Sequence, residues 1–272
     1  MSKAADNKAK DVPKGFDKYH YYIESVQNPK NDAEFFLKTY KEIKKKNPKS
    51  LREDFCGTFS ICCEWVRLDK TFTAVGVDLD KEPIEYGLKN YLPKLTSDQQ
   101  SRTEVLNKNV LDKKLPPTDI IAALNFSYFL FKKRELLKKY FENCLRTLNK
   151  NGILIIDCFG GGQCQAAIEE ETPFKDFSYF WDQINYNPVK NEAEFFIHYK
   201  LKGQPKIEKV FYYDWRMWTI AELTDLLSEV GFKKSTVYWE GNDSKGEGNG
   251  EFSPSEIGEE CDSWIAYIVS EK

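Results

Sequence analysis

Histidine is scarce in this 272-residue sequence, and its cysteines are not closely paired. There are two histidines, and the seven cysteines include no C-x-x-C pair. Zinc sites and disulfide frameworks need several such residues at short, regular spacings, so we expect neither a metal site nor a disulfide network. Most of the cysteines have apolar neighbours, which favours small buried thiols in a reducing compartment and predicts a cytoplasmic protein.

Long apolar runs and a strong net charge are also absent. No stretch reaches the roughly 20 apolar residues that a membrane span needs. The formal net charge is −3, with acids and lysines mixed along the chain, so we expect neither a nucleic-acid partner nor a membrane partner. Residues 1–17 differ because they are basic and polar, and they are predicted to form a disordered tail. The sequence does not indicate the oligomeric state.

Residues 18–272 are predicted to form a single α/β domain. Short apolar runs such as DIIAAL and GILIID alternate with longer helical segments, which is typical of parallel strands joined by crossover helices. We predict a doubly wound, mainly parallel, Rossmann-like sheet of seven strands with helices on both faces. Residues 18–48 precede the first strand as an N-terminal lid and a helix, for which Asp32 is the predicted N-cap.

Aromatic residues dominate a second region, which we predict to be a substrate-side insertion over about residues 163–218. The segments AEFFIHYKLKG and IEKVFYYDWRMWT indicate antiparallel strands placed after the fifth strand of the main sheet. A helix follows, with Thr219 as N-cap, Glu222 completing a capping box and Gly231 at its end. A polar, glycine-rich loop over residues 241–250 separates the last two predicted strands.

The first predicted strand, SLREDF, ends in two acids and is soon followed by Gly57. Carboxylates at the end of a buried strand are costly unless a positive charge pairs with them. A cationic ligand would meet this need, and so would Arg52 or a nearby lysine; the strand alone favours neither. Gly57 would allow a ligand to approach the backbone closely.

Asp78 ends the second predicted strand, 21 residues after Gly57. An acid at this distance from the first strand–helix turn is typical of ribose recognition, because a carboxylate can accept hydrogen bonds from both hydroxyls. Together with the acids and Gly57 at the end of the first strand, Asp78 favours a nucleoside cofactor. Asp80 is the predicted N-cap of the next helix. Asn109, after the third strand, fits either an adenine contact or an ordinary turn.

Taken in order, these motifs resemble those of class I S-adenosylmethionine-dependent methyltransferases. The matching stretches cover about residues 32–270 and read LREDFCGTFS, AVGVDLD, NKNVLD, DIIAALNFS, NGILIIDCFGG and TIAELTDLLSEVGF. A subgroup with an LREDFCGT first motif is most similar, since it also has stretches matched here by YHYYIESVQ and YYDWRMWT. The substrates of that subgroup are undefined. The sequence departs from the family at Phe55 and Phe59, which replace glycines of the first motif.

The resemblance implies that S-adenosylmethionine is the cofactor. Glu53 would lie near its methionyl amino group, Asp78 at its ribose and Asn125 near the methyl group. The predicted cofactor-binding set also includes the backbone of the loop after the first strand and the adenine pocket, and consists of Tyr22, Arg52, Glu53, Cys56, Gly57, Asp78, Leu79, Asn109, Val110 and Asn125.

The chemistry of this cofactor agrees with a loop that is poor in glycine. S-adenosylmethionine carries a sulfonium and an ammonium and has no phosphate, so acids at the loop suit it and would repel a dinucleotide. The glycine-rich stretch FGGGQ follows the fifth strand and lacks the G-x-G-x-x-G spacing, and no Y-x-x-x-K stretch lies where a short-chain reductase would need it. An NAD-dependent reductase is therefore the least favoured function.

The predicted activity is in-line transfer of a methyl group to an unidentified small-molecule acceptor. The insertion and the lid would enclose the site, with Tyr213 and Arg216 on the substrate side. Alignment and desolvation are the main requirements, and a base is needed only where the acceptor carries a proton; His20 and Tyr22 are the candidates. Methylation of a protein side chain or terminus, and a non-catalytic cofactor-binding subunit of the same fold, are the alternatives.

Overall fold

The main sheet of the structure, a computed structural model, combines parallel and antiparallel strands. The structure describes residues 13–244 and 248–272. Its strands are β1 (Ser50–Asp54), β2 (Thr73–Asp78), β3 (Thr103–Asn107), β4 (Thr118–Ala123), β5 (Leu148–Gly160), β6 (Ile168–Pro173), β7 (Phe177–Asn187), β8 (Glu192–Leu201), β9 (Lys206–Arg216), β10 (Lys234–Asn242), β11 (Gly248–Pro254) and β12 (Trp264–Glu271). Its α-helices are α1 (Lys18–Val26), α2 (Pro29–Lys44), α3 (Ser60–Leu68), α4 (Lys81–Asn90), α5 (Ser97–Ser101), α6 (Arg134–Thr147) and α7 (Ile220–Val230).

The strand order of the main sheet is β11-β10-β12-β5-β4-β1-β2-β3. Strands β1 to β5 pair in parallel, whereas β10, β11 and β12 pair antiparallel. The mainly parallel sheet is confirmed, but the predicted count of seven strands is wrong, because the described residues form eight. The extra strand, β11, begins within the predicted polar loop, and its Phe252 packs against Tyr267 of β12 with ring centroids 4.6 Å apart.

Helices cover both faces of the main sheet, as predicted. Along β4, Ile120 belongs to the buried cluster that includes α2 and α3, whereas Ile121 belongs to the cluster that includes α6 and α7. Successive side chains of a strand point to opposite faces, which explains why this strand is apolar at consecutive positions. β1 lies between β2 and β4, so the strand order reverses there. Open α/β sheets bind ligands beyond the carboxyl ends of the strands at such a point.

The helix before β1 begins earlier than predicted. Asn28 is the N-cap of α2, accepting a hydrogen bond from the Asn31 N–H, and Pro29 occupies the first turn. Asp32 is therefore not the N-cap but lies one turn into the helix. The capping prediction for α7 is confirmed, since Thr219 and Glu222 form the capping box.

A second, antiparallel sheet with the order β6-β7-β8-β9 is inserted between β5 and α7. It has four strands where the sequence indicated two, and its Trp215 packs against Phe126, which follows β4, and against Phe159, near the end of β5. Helix α1 connects this sheet to α4: Tyr22 contacts Phe211 of β9 at 5.0 Å between ring centroids, and Tyr19 contacts Tyr86 of α4 at 4.8 Å.

Two predictions concern the chain outside these sheets. Within the described residues, no helix combines the length and apolar character needed to cross a membrane. Residues 1–12 of the predicted tail lie outside the described residues, and residues 13–17 lie within them.

Candidate functional site

The loop after β1 follows the backbone path of a glycine-rich turn although it contains one glycine. Phe55, Gly57 and Phe59 have φ angles of 58°, 50° and 48°, in the left-handed region that favours glycine. The two phenylalanines are held there by packing, because Phe59 is fully buried and the ring of Phe55 contacts Tyr140. A Cβ atom added at Gly57 would meet no atom within 4 Å. The backbone of the loop therefore faces open space at this residue.

Asp78, at the end of β2, is joined to this loop by a hydrogen bond. Its Oδ2 atom accepts from the Gly57 N–H at 2.7 Å, and its Oδ1 atom accepts from the Asp80 N–H at 2.8 Å. Burial raises the pKa of Asp78 above its ordinary value. A carboxylate offers about four acceptor positions, so Asp78 can still accept a hydrogen bond from a ligand hydroxyl. Beside it, the Leu79 side chain is 68% exposed, and Asp80 is the N-cap of α4 as predicted.

Glu53 lies on the face of β1 that packs against α3. It is 5% exposed, and its Oε2 atom accepts a hydrogen bond from the Cys62 N–H at 3.1 Å. Burial raises the pKa of Glu53 to about 8, with smaller contributions from the charges of Asp32 and Asp78. No cationic side chain pairs with Glu53 in the part of the chain that the structure describes. This carboxyl group is therefore a buried acid without a counter-charge.

Arg52 and Asp54 lie on the opposite face of β1 and pair with each other. The Arg52 guanidinium donates to both carboxylate oxygens of Asp54, at 2.8 and 3.1 Å, and to Thr147 Oγ1 at 2.8 Å. Tyr140 donates a further hydrogen bond to Asp54. Arg52 is fully buried among these partners. Strand alternation turns its side chain away from Glu53, so a contact of Arg52 with the cofactor stays a prediction that these partners do not favour.

Asn109 and Val110 lie in the turn that follows β3. Asn109 Oδ1 accepts from the Leu111 N–H at 2.9 Å, so the side chain has the turn role that the sequence left open. Val110 is buried, and its carbonyl oxygen accepts from Asn143 Nδ2 at 2.7 Å. A contact of this turn with adenine stays a prediction, as does a backbone contribution from Cys56, whose side chain is buried.

The carboxyl ends of β4 and β5 are joined by an acid that sequence reasoning missed. Asp157 accepts hydrogen bonds from the backbone N–H groups of Asn125 at 2.6 Å and Phe126 at 2.9 Å. Those two residues have φ angles of 56° and 55°, so Asp157 stabilises an unusual backbone turn. Burial raises the pKa of Asp157 to about 7 in spite of these bonds. Its position at the end of the apolar run GILIID, like that of Glu53 in SLREDF, could have identified it.

A cavity of about 620 Å³ lies between the ends of β4 and β5, the second sheet and α1. Half of its aromatic lining comes from the second sheet and α1, namely Tyr22, Tyr179, Trp181, Tyr213 and Trp215. Its acidic lining consists of Asp32, Asp157, Glu170 and Glu240. The Asn125 side of the cavity adjoins the strand ends described above. We call this space the acceptor cavity.

Comparison with known proteins gives matches only at the level of structure. No protein-family model and no curated protein matches the sequence. An S-adenosylmethionine-dependent methyltransferase from Clostridium acetobutylicum superposes with a TM-score of 0.68 at 13% identity, over 93% of this chain and 96% of that one. CalS10, an amino pentose methyltransferase from Micromonospora echinaspora, gives 0.66 at 10% identity, over 96% and 98%. The sugar N-methyltransferase KedS8 from Streptoalloteichus gives 0.60 at 16% identity, over 96% and 94%.

The chain has the fold of S-adenosylmethionine-dependent methyltransferases. The methyltransferase fold that the sequence resemblance implied is therefore confirmed. Identities of 10 to 16% establish the fold alone, so the subgroup with the LREDFCGT motif stays a prediction.

Within this methyltransferase fold, Tyr22 and Tyr213 both line the acceptor cavity and are hydrogen-bonded to each other. Burial raises the pKa of Tyr22 to about 12, which opposes its loss of a proton and disfavours it as a general base near neutral pH. His20, the other candidate base, is exposed and does not line the cavity.

Arg216 is not among the residues that line the acceptor cavity, and its place on the substrate side stays a prediction. Its Nη2 atom donates to Glu222 at 2.9 Å, and its guanidinium lies 3.7 Å from the ring centroid of Trp218. The acid that completes the α7 capping box thus holds this arginine away from the cavity lining.

His198 belongs to a polar cluster on the outer face of the second sheet, with Glu169 and Asp182. Its Nδ1 atom accepts a hydrogen bond from the Lys209 N–H at 2.7 Å, so in the neutral ring the proton is on Nε2. Nε2 lies 3.0 Å from Asp182 Oδ2 and can donate to it. Both ring nitrogens are therefore engaged, which is typical of a structural histidine.

Proposed function

We propose that the protein is an S-adenosylmethionine-dependent methyltransferase that acts on a small-molecule acceptor. The observation on which this rests is the set of strand ends where the sheet order reverses. Glu53 is a buried acid without a counter-charge, Gly57 has its backbone facing open space, and Asp78 has acceptor positions to spare. A cofactor with two positive charges and a ribose fits this combination of groups.

Each strand end would have a separate task in holding the cofactor. Asp78 would accept hydrogen bonds from the ribose hydroxyls, with exposed Leu79 beside the base. Glu53 would pair with the methionyl ammonium. The turn at Asn109 and Val110 would contact the adenine edge, and Asn125 would lie next to the methyl group. When bound, S-adenosylmethionine supplies an electrophilic methyl group on sulfur, and the protein supplies alignment and exclusion of water.

The covering of the strand ends by the second sheet and α1 supports a small molecule over a protein substrate. The second sheet and α1 cover the ends of β4 and β5, and a volume of about 620 Å³ is in the range of small-molecule sites. The structural neighbours CalS10 and KedS8 are described as an amino pentose methyltransferase and a sugar N-methyltransferase, which supports the same choice.

The retained shape of the first loop supports a working cofactor site over a non-catalytic subunit. Phe55 and Phe59 replace glycines but keep the left-handed φ angles that the glycines would provide. Both rings point into packed clusters, so the substitutions change the packing and leave the path of the backbone intact.

Calorimetry with S-adenosylhomocysteine tests the proposal. We expect the wild-type protein to bind it and Asp78→Asn to bind at least about tenfold more weakly, because the amide has fewer acceptor positions for the ribose. Asp80→Asn is the matched control: asparagine also caps helices, so its affinity should equal that of the wild type. No binding by the wild type would overturn the proposal, and unchanged affinity in Asp78→Asn would refute the ribose assignment.

A further inference from the structure

The acceptor cavity is lined by both aromatic rings and carboxyl groups. Three of the rings come from the second sheet and form what we call the aromatic wall: Trp181 on β7, and Tyr213 and Trp215 on β9. The rings lie close together: the Trp181 and Trp215 centroids are 6.1 Å apart, and those of Tyr213 and Trp215 are 4.4 Å apart. Carboxyl groups line the same cavity from α2, β5 and β10, and Glu170 of β6 adds a fourth. Aromatic faces and carboxylates both attract cations.

The charges that line the cavity all have the same sign. Four acids belong to its lining, and within the described residues no lysine, arginine or histidine does. An acceptor with a carboxylate or phosphate group would meet repulsion and no positive partner. A neutral acceptor would leave the acids without a counter-charge. The lining therefore selects for a positively charged acceptor.

Asp32 is the acid best placed to bind such an acceptor. Asp157 uses two acceptor positions to hold the turn at Asn125 and Phe126, and Glu240 lies on β10, whereas Asp32 is close enough to Glu53 for its charge to raise the pKa of that group. Glu170 is exposed at the outer strand of the second sheet. Asp32 is half-buried and accepts one hydrogen bond, from the Tyr267 hydroxyl at 3.3 Å, and no cation among the described residues pairs with it.

We propose that the acceptor is a small-molecule amine, whose ammonium group pairs with Asp32 while its carbon skeleton lies against the aromatic wall. This inference rests on the proposed methyltransferase function and names the class of its substrate. It also replaces His20 and Tyr22 by Asp32 as the group that takes up the acceptor's proton.

The ammonium transfers a proton to the Asp32 carboxylate, which frees the lone pair of the nitrogen. The nitrogen then attacks the methyl carbon, a C–N bond forms, and the C–S bond breaks with its electron pair kept by sulfur. The product is a methylated ammonium, and Asp32 returns its proton to water. Burial raises the pKa of Asp32 to about 7, which suits a carboxylate that must accept a proton.

Binding of matched amines and alcohols tests the inference. The full-length protein, saturated with S-adenosylhomocysteine, would be titrated with phenethylamine, cyclohexylamine and glucosamine, and with phenethyl alcohol, cyclohexanol and glucose. Quenching of the cavity tryptophans reports binding. We expect at least one amine to bind about tenfold or more tightly than its alcohol. In Asp32→Asn this preference should disappear, whereas Asp176→Asn, an exposed acid in the turn after β6, should retain it.

The outcomes separate this inference from the function on which it rests. Calorimetry with S-adenosylhomocysteine alone tests the cofactor site. If it binds but no amine is preferred over its alcohol, the amine inference is wrong and the methyltransferase proposal stands. A preference that survives in Asp32→Asn would also overturn the assignment. If Asp32→Asn fails to fold, Tyr267→Phe serves instead: it keeps the carboxylate, so loss of the amine preference in that variant would contradict the inference.

Discussion

The two faces of β1 hold buried acids one residue apart in opposite electrostatic situations. On one face, Asp54 accepts hydrogen bonds from Arg52 and Tyr140 and is fully compensated. On the other face, Glu53 has Cys62 as its donor and no counter-charge among the described residues, and its pKa is raised to about 8. A compensated buried acid stabilises the fold. An uncompensated one costs stability and gains a role when a cation binds.

Removing the positive charge from the compensated face should have the largest effect. Arg52→Met leaves Asp54 buried without its partner, and we expect the free energy of unfolding to fall by about 3–5 kcal/mol. Urea denaturation measures this loss. The folded fraction should still bind S-adenosylhomocysteine with wild-type affinity, because Arg52 does not face the cofactor side.

A double variant tests whether the loss of stability comes from the unpaired charge of Asp54. In Arg52→Met with Asp54→Leu, both charges are gone, so most of the lost stability should return. If the single variant were as stable as the wild type, the Arg52–Asp54 pair would not be a structural element. If its folded form lost cofactor affinity, the division between the two faces of β1 would be wrong.

The parts of the site that could be predicted from the sequence depend on short-range patterns. The 21-residue spacing from Gly57 to Asp78 places both at adjacent strand ends, and the structure joins them by one hydrogen bond. The capping box of α7 is another local pattern. Each of these needs only the order of strands and helices, which apolar runs and capping residues specify.

The parts that were missed depend on contacts between distant segments. Asp32 was interpreted as a helix cap, but its partner is Tyr267, 235 residues away, and its cavity role arises from that assembly. Strand β6 is almost wholly exposed and has three consecutive glutamates, so its sequence lacks the alternation of a strand. It forms because β7 provides a pairing edge.

Raising the pH should lower the free energy of unfolding, because Glu53 has no counter-charge among the described residues. Glu53 has a pKa of 4.5 in the unfolded chain and about 8 in the folded protein, so its contribution to stability is complete below pH 4.5 and is lost as the pH rises through 8. Cys62, Asp32 and Asp78 face it, and Asp32 and Asp157, with pKa values raised to about 7, add losses of the same sign.

Glu53→Gln should therefore lose less stability than the wild type between about pH 5 and pH 8, by on the order of 2 kcal/mol. Urea denaturation at both pH values measures the difference. Saturating S-adenosylhomocysteine should reduce the wild-type loss, since its ammonium favours the ionised carboxylate. If the free energy of unfolding changed equally with pH in the two proteins, Glu53 would have a compensating charge in the wild type.

Phe55 connects the two faces and gives the smallest expected effect. Its ring packs against Tyr140, whose hydroxyl binds Asp54, while its backbone, at a φ of 58°, shapes the loop on the Glu53 side. Phe55→Ala and Phe55→Gly lose the same ring contacts, but glycine adopts this φ without strain. We therefore expect Phe55→Gly to be more stable than Phe55→Ala by about 1 kcal/mol.

A comparison of alanine with glycine at a helical position supplies the control. At Lys38, exposed in α2, alanine should exceed glycine by about 1 kcal/mol, because glycine is the poorer helix former. If glycine is the more stabilising of the two at residue 55 and alanine at residue 38, the loop requires a backbone angle more than it requires a residue type. If Phe55→Ala were the more stable variant, the left-handed conformation would not be intrinsic to the loop. Equal affinity of Phe55→Gly and the wild type for S-adenosylhomocysteine would further assign the ring to packing and the φ angle to the cofactor side.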